Sequence, residues 1–230
     1  MKHIKQIIFD ADDTLWENNI YYLKAANDFF DLLFQEGIGR HQAEHEFDEL
    51  ELEVVEKLGY GSINFIFILE ELYRKFKISG NHNKEKLISI ITEFNSHKLN
   101  KPNLFINVTE TIEQLSDNYN LFILTKGDQK EQESKILKSG LLQFLVEYFI
   151  WDEKDDHTYA NLLSANNWNP DETCMVGNSP KSDINPALRN NMYAIHIPYK
   201  DTWKIDIEPI KHTNGKYKKI NSFKELKEIF

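Results

Sequence analysis

Residues 4–9 form a short apolar stretch that is cut off by three aspartates within four positions, Asp10, Asp12 and Asp13. This junction restricts the fold more than any other feature of the chain. A brief run containing β-branched residues and ended by acids reads as a strand buried on both faces, which opens onto a polar loop. Strands of that kind belong to parallel sheets covered by helices.

The next eighty residues change period. Tyr22, Ala25, Ala26, Phe29, Phe30 and Leu33 recur at three and four residues, as do Phe47, Leu50, Val54 and Leu58. Amphipathic segments follow near residues 63–76 and 84–94. The block predicts an all-helical unit whose aromatics form its own core. After Lys101-Pro102 the pattern alternates: a helix near 109–115, a strand over 121–124, a helix over 129–137, and a strand within 144–150. A helix over 155–166, a strand over 173–176 ending at Gly177, a helix over 182–190 and a strand over 193–197 close the series. Ser222 is placed to cap a last helix over 223–230, with Glu225 at the capping-box position. The expected fold class is α/β: a doubly wound parallel sheet built from residues 1–15 and 101–230, with a helical domain over 16–100 inserted after the first strand.

Composition bounds the function. With a formal net charge of -10 and no basic stripe, the chain is not expected to bind nucleic acid, where affinity rests on clustered Lys and Arg. The single cysteine, Cys174, sits in an apolar run and cannot form an internal disulfide, which suits a reducing cytoplasm. The first apolar run is too short for a secretory signal, and no stretch suits a membrane span, so a cytoplasmic location is expected. Nothing in the sequence sets an oligomeric state.

In doubly wound sheets ligands bind beyond the carboxyl ends of the strands. The polar residues there are Asp10, Asp12 and Thr14 after the first strand, Thr125 and Lys126 after the second, Lys154 near the next, and Asn178, Ser179 and Asp183 after the following one. Two carboxylates two residues apart can divide labour, one attacking phosphorus and the other shuttling the leaving-group proton. Oxygen donors from Asp10, the Asp12 carbonyl, and Asn178 or Asp183 suit Mg²⁺ with retained waters. Thr125 and Lys154 can hold the remaining phosphate oxygens, with Lys126 as the substitute for Lys154. Ser179 and Ser182 read as helix caps. The eight histidines, including His41 and His45 on one helical face and His212, show no zinc spacing.

These motifs resemble those of the haloacid dehalogenase superfamily. Asp10-Ala11-Asp12-Asp13-Thr14 is similar to its first motif, Thr125 to its second, Lys154 to its third, and Gly177-Asn178-Ser179 with Ser182-Asp183 to its fourth. The resemblance covers nearly the whole chain. It implies a Rossmann-like core with a type 1 helical cap, and a magnesium-dependent phosphatase acting on a small phosphorylated metabolite. By that resemblance Asp10 would form an aspartyl-phosphate, Asp12 would be general acid and base, Thr125 and Lys154 would bind phosphate, and Asn178 and Asp183 would serve the metal. Two positions depart from the common pattern. Asp13 stands where Gly is frequent, in a turn whose backbone angles Asp tolerates, and Asn178 replaces an acid, which lowers the negative charge of the site. Phosphonate hydrolysis, phosphosugar mutation, dehalogenation and a catalytically weak phosphate-binding homologue share the fold. A response-regulator receiver would lack the large insert.

Overall fold

A computed structural model describes residues 1, 3–211 and 213–230, with Lys98 and Leu99 as backbone. His212 lies outside the described residues. In chain order, β1 (Gln6–Phe9) is followed by four helices, α1 (Asn19–Gln35), α2 (Arg40–Leu58), α3 (Ser62–Lys75) and α4 (Asn81–Leu99). Then come α5 (Val108–Ser116), β2 (Asn120–Lys126), α6 (Gln129–Ser139), β3 (Glu147–Trp151), α7 (Asp156–Ala165) and β4 (Thr173–Gly177). The chain continues through α8 (Asn185–Arg189), β5 (Tyr193–His196), β6 (Tyr217–Lys219) and α9 (Leu226–Ile229).

Two compact units result: Met1–Asn19 with Pro102–Phe230, and Ile20–Lys101. The first is an α/β unit. Among the described residues its sheet has the order β3-β2-β1-β4-β5-β6, with every neighbouring pair parallel. β1 lies in the middle, Ile7 opposite Leu121 of β2 on one side and Cys174 of β4 on the other. Alternation along each strand sorts its side chains to two faces. Ile7, Phe9, Leu121, Ile123, Cys174, Val176 and Ile195 pack with Ile112 of α5, Ile136 of α6 and Leu226 of α9. Ile8, Phe122, Leu124, Met175 and Ala194 pack with Leu162 of α7 and Leu188 of α8 on the opposite face. Both faces are therefore dry, which is why the strands read as continuous apolar runs. Cys174 is a free, fully buried thiol, and its burial pushes its pKa up.

Two elements differ from the sequence expectation. The series does not close at residue 197: Tyr217–Lys219 adds a sixth strand, with Ile195 opposite Lys218. Its three residues are Tyr-Lys-Lys, so it carries no apolar run to announce it; it occupies the sheet edge, where one polar face is tolerated. The helix expected over 182–190 begins instead with a π-helical turn at Pro180–Ile184, in which the Ile184 N–H reaches back to the Ser179 carbonyl. Pro186 has no N–H for the Ser182 carbonyl, and the Tyr159 hydroxyl donates to that carbonyl instead, at 3.1 Å. At the C-terminus, the Glu225 carboxylate accepts from the Ser222 N–H at 2.9 Å, as the capping box requires.

The second unit, α1 to α4, buries its own aromatic core. Phe29, Phe30, Leu33, Phe47, Phe65, Leu69, Leu72 and Phe94 form one cluster. Phe47 meets Phe30 and Phe65 edge to face, the arrangement favoured by ring quadrupoles. Phe67, by contrast, is exposed. No helix among the described residues is long and apolar enough to cross a membrane.

Residues 16–19 fold with the sheet. Trp16 is fully buried in the α/β core, the Glu17 N–H donates to the Asn103 carbonyl at 3.0 Å, and the Phe105 N–H donates to the Leu15 carbonyl at 3.0 Å. The chain therefore leaves and re-enters the α/β unit on adjacent antiparallel segments.

Candidate active site

Asp10 follows β1, and its own N–H still donates to the Val176 carbonyl at 2.9 Å, so the strand ladder fixes its backbone. The next residues form a tight turn. Asp13 takes φ 62°, the left-handed region that Asp tolerates, and its carboxylate accepts the N–H groups of Asn18 at 2.9 Å and Asn19 at 3.0 Å. This turn folds Thr14 back so that its hydroxyl donates to Asp10 Oδ2 at 2.7 Å and lies 3.3 Å from Asn178 Oδ1.

The other Asp10 oxygen, Oδ1, accepts from the Lys154 ammonium at 2.6 Å. Lys154 is 3% exposed and also donates to Asp183 Oδ1, so one buried cation lies between two buried carboxylates. Asp183 is fully buried, and its Oδ2 accepts the Ser179 N–H at 2.9 Å. Gly177 makes this possible, because a Cβ there would overlap the Asp183 carboxylate. His196 borders the same loop, with Nε2 3.1 Å from the Asn178 carbonyl, and burial lowers its pKa.

Burial acts on all these charges. It pushes Asp10 up to about 7, assisted by Asp183 and opposed by Lys154 and Thr14. Burial also raises Asp183, with Lys154 pulling the other way. For Lys154 burial opposes the charge, but Asp10 and Asp183 outweigh it and hold the ammonium well above its ordinary range. Asp13 is pushed up to about 8 by burial and by the Asp12 carboxylate.

Asp12 faces a different set of partners. It accepts from Trp16 Nε1 at 2.6 Å, from Gln132 Nε2 at 2.9 Å, and from Lys135 Nζ at 2.7 and 2.6 Å. Gln132 and Lys135 lie on α6, the helix after β2. Thr125 is buried at the end of β2. Lys126, one residue on, turns away from Asp10: its ammonium donates to Ser182 Oγ at 2.8 Å and Asp206 Oδ1 at 2.9 Å. The structure thus joins Lys154 to Asp10 and Asp183, and Thr14 to Asp10 and Asn178, and sets Lys126 in a separate ion pair. Ser179 caps as expected, accepting the Ser182 N–H at 3.0 Å, whereas the Ser182 hydroxyl bridges Lys126 and Asp206.

Several neighbours of the site were not singled out in the sequence: Trp16, Gln132, Lys135, His196 and Asp206. Gln132 and Lys135 carried a usable sign, three residues apart in the first turns of the helix after β2 and therefore on one face. Asp206 carried none, since the segment before it has no regular pattern.

The oxygen donors fit a hard cation. Asp10 Oδ2 and Asn178 Oδ1 converge on the Thr14 hydroxyl, while both Asp183 oxygens are already engaged by Lys154 and the Ser179 N–H. A carboxylate and an amide oxygen, with water completing the shell, is a magnesium-type donor set. Among the described residues no three His, Cys, Asp or Glu side chains come together as a metal cage.

Comparison with known proteins agrees with the fold. The family model described as haloacid dehalogenase-like hydrolase matches residues 7–197. A glyceraldehyde 3-phosphate phosphatase of Pyrococcus furiosus is 27% identical over 215 residues, covering 90% of this chain and 86% of the relative. Among solved structures, a haloacid dehalogenase-like family hydrolase from Xanthomonas campestris superposes with a TM-score of 0.81 at 26% identity, covering 99% of this chain and 90% of that one. A magnesium-bound HAD-hydrolase of Bacillus subtilis shares the fold with a TM-score of 0.64 at 16% identity, covering 98% of each chain. The family match runs from β1 through the insert to β5, and the chain belongs to the haloacid dehalogenase-like hydrolases.

Proposed function

We propose that this hydrolase is a magnesium-dependent phosphatase that cleaves a small phosphorylated metabolite through an aspartyl-phosphate on Asp10. The observation that carries the reading is the Lys154 ammonium shared by Asp10 and Asp183, which supplies a buried positive charge beside the attacking carboxylate. In the first step an Asp10 oxygen attacks phosphorus, the ester P–O bond breaks, and Asp12 gives a proton to the leaving oxygen. In the second, water attacks phosphorus, Asp12 takes its proton, and phosphate leaves Asp10 free. Thr125 and Lys154 bind the phosphate oxygens. Lys126, the alternative to Lys154, is tied to Ser182 and Asp206 and is not assigned a phosphate oxygen.

Asp10, the Asp12 carbonyl and Asn178 would hold Mg²⁺, with Asp183 holding Lys154 and the Ser179 loop in place. The ion supplies charge neutralisation for the phosphate. The presence of Asp12 favours phosphate esters over haloacids, since dehalogenation requires no proton for the departing halide. The phosphatase relative supports the same choice. We assign the helical unit the role of a specificity-determining cap, and the chain to the cytoplasm.

The test is a screen of phosphorylated metabolites with Mg²⁺ or with EDTA, using Asp10→Asn as the blank. Turnover is expected with Mg²⁺ alone and should vanish in Asp10→Asn. Hydrolysis of an aryl phosphate by Asp10→Asn at the wild-type rate would overturn the assignment.

A further inference from the structure

The α6 face beside Asp12 is more elaborate than folding requires. Lys135 spans both Asp12 oxygens at 2.7 and 2.6 Å and continues to Asn18 Oδ1 at 3.2 Å. Gln132, 5% exposed, uses one nitrogen for two acceptors, Asp12 Oδ2 at 2.9 Å and the Lys126 carbonyl at 3.1 Å. Its oxygen is buried and has no hydrogen-bond partner among the described residues. An idle buried acceptor destabilises the fold, so stability does not account for a glutamine at this position. The bond to Asp12 does.

Asp12 would otherwise be free to swing. It follows the strand rather than lying in it, and its carboxylate is part-exposed, with 20% of the side-chain area accessible. Three donors from two directions, Trp16 on the turn and Gln132 and Lys135 on α6, leave it one position. We propose that Lys135 and Gln132 are positioning residues, which hold the Asp12 carboxylate in the one orientation from which it exchanges a proton with leaving group and water. The proposal rests on Asp12 being the general acid and base, as read above.

p-Nitrophenyl phosphate separates this role from a structural one. Nitrophenolate leaves without a proton, so the first step needs Asp10 alone, whereas release of phosphate needs Asp12 to deprotonate water. Lys135→Met is expected to lower kcat about tenfold or more with KM falling in parallel, so that kcat/KM stays within about twofold, and to release a burst of nitrophenolate equal to the enzyme present. Lys135→Arg, which keeps charge and donors, should restore most of kcat, and Gln132→Met should fall in the same direction by less. Crystal structures of the wild type and Lys135→Met give a second reading: the Asp12 carboxylate should lose its single position in the variant. Wild-type kcat in Lys135→Met, a burst that falls in proportion to steady-state turnover, or an unmoved Asp12 would each overturn the proposal. Failure of the phosphatase reading shows separately, as a wild type without turnover or an active Asp10→Asn; the crystal comparison then still decides what Lys135 holds.

Discussion

Lys154 shows most directly how single side chains set the chemistry. A buried ammonium and two buried carboxylates are tolerable only together, because each unpaired charge at that depth would carry its full desolvation cost. The folded Asp10 holds its proton up to about 7, while an unfolded aspartate releases it near 3.8. Across that window the folded state binds more protons, so in metal-free protein this group makes stability fall as pH rises and level off above about 7. Lys154→Met removes the pull that keeps Asp10 and Asp183 down and widens the window upward. Metal-free Lys154→Met is therefore expected to lose about 3–5 kcal/mol at pH 8 and distinctly less at pH 5, where the carboxylates can take up protons. Urea unfolding of both proteins in EDTA at the two pH values checks this. An equal loss at both would show that packing of the lysine stem, not charge, is what the site loses.

At the scale of elements, the strand ends do the positioning. β4 places Gly177 against Asp183, and the π-helical turn after it brings the Asp183 carboxylate under Lys154 while Tyr159 satisfies the carbonyl that Pro186 leaves open. Gly177→Ala would drive a methyl group into that carboxylate. The expected cost is about 1–3 kcal/mol from overpacking, together with loss of activity out of proportion to it, because Asp183 cannot move without releasing Lys154. Thermal melting and turnover measured on one preparation separate the two effects. Normal turnover in a destabilised Gly177→Ala would remove Asp183 from the site. The turn after β1 behaves in the same way: Asp13 at φ 62° is the residue that returns Thr14 to Asp10, and its acceptance of two N–H groups adds what a glycine would lack.

For the whole molecule, the insert is a self-contained addition. The core of the α/β unit is made by its own residues, and the segments at 15–17 and 103–105 are joined by two backbone hydrogen bonds of 3.0 Å. Replacing residues 20–101 by a short Gly-Ser linker is therefore expected to leave a cooperatively folding α/β protein, since short loops close at little entropic cost. A sigmoidal melt with near-ultraviolet circular dichroism retained would bear this out, and a non-cooperative melt would show that the sheet needs the helical unit. Under the proposed function the shortened protein keeps the Asp10 cluster but loses substrate discrimination.

The sequence by itself determined the alternation of strands and helices, the helical insert and the order of Asp10, Thr125, Lys154 and Asp183, because these follow from local periodicity and from where apolar runs stop. It could not announce β6, whose three polar residues carry no pattern, nor the π-helical turn, which depends on Tyr159 reaching the Ser182 carbonyl from another helix. It also left Lys126 and Lys154 as alternatives. Only the tertiary structure shows where each ammonium lies, Lys154 between Asp10 and Asp183 and Lys126 on Asp206. The partners of Asp12 were hidden for the same reason: Gln132 and Lys135 are more than a hundred residues away, and only the parallel pairing of β1 with β2 brings α6 to that carboxylate.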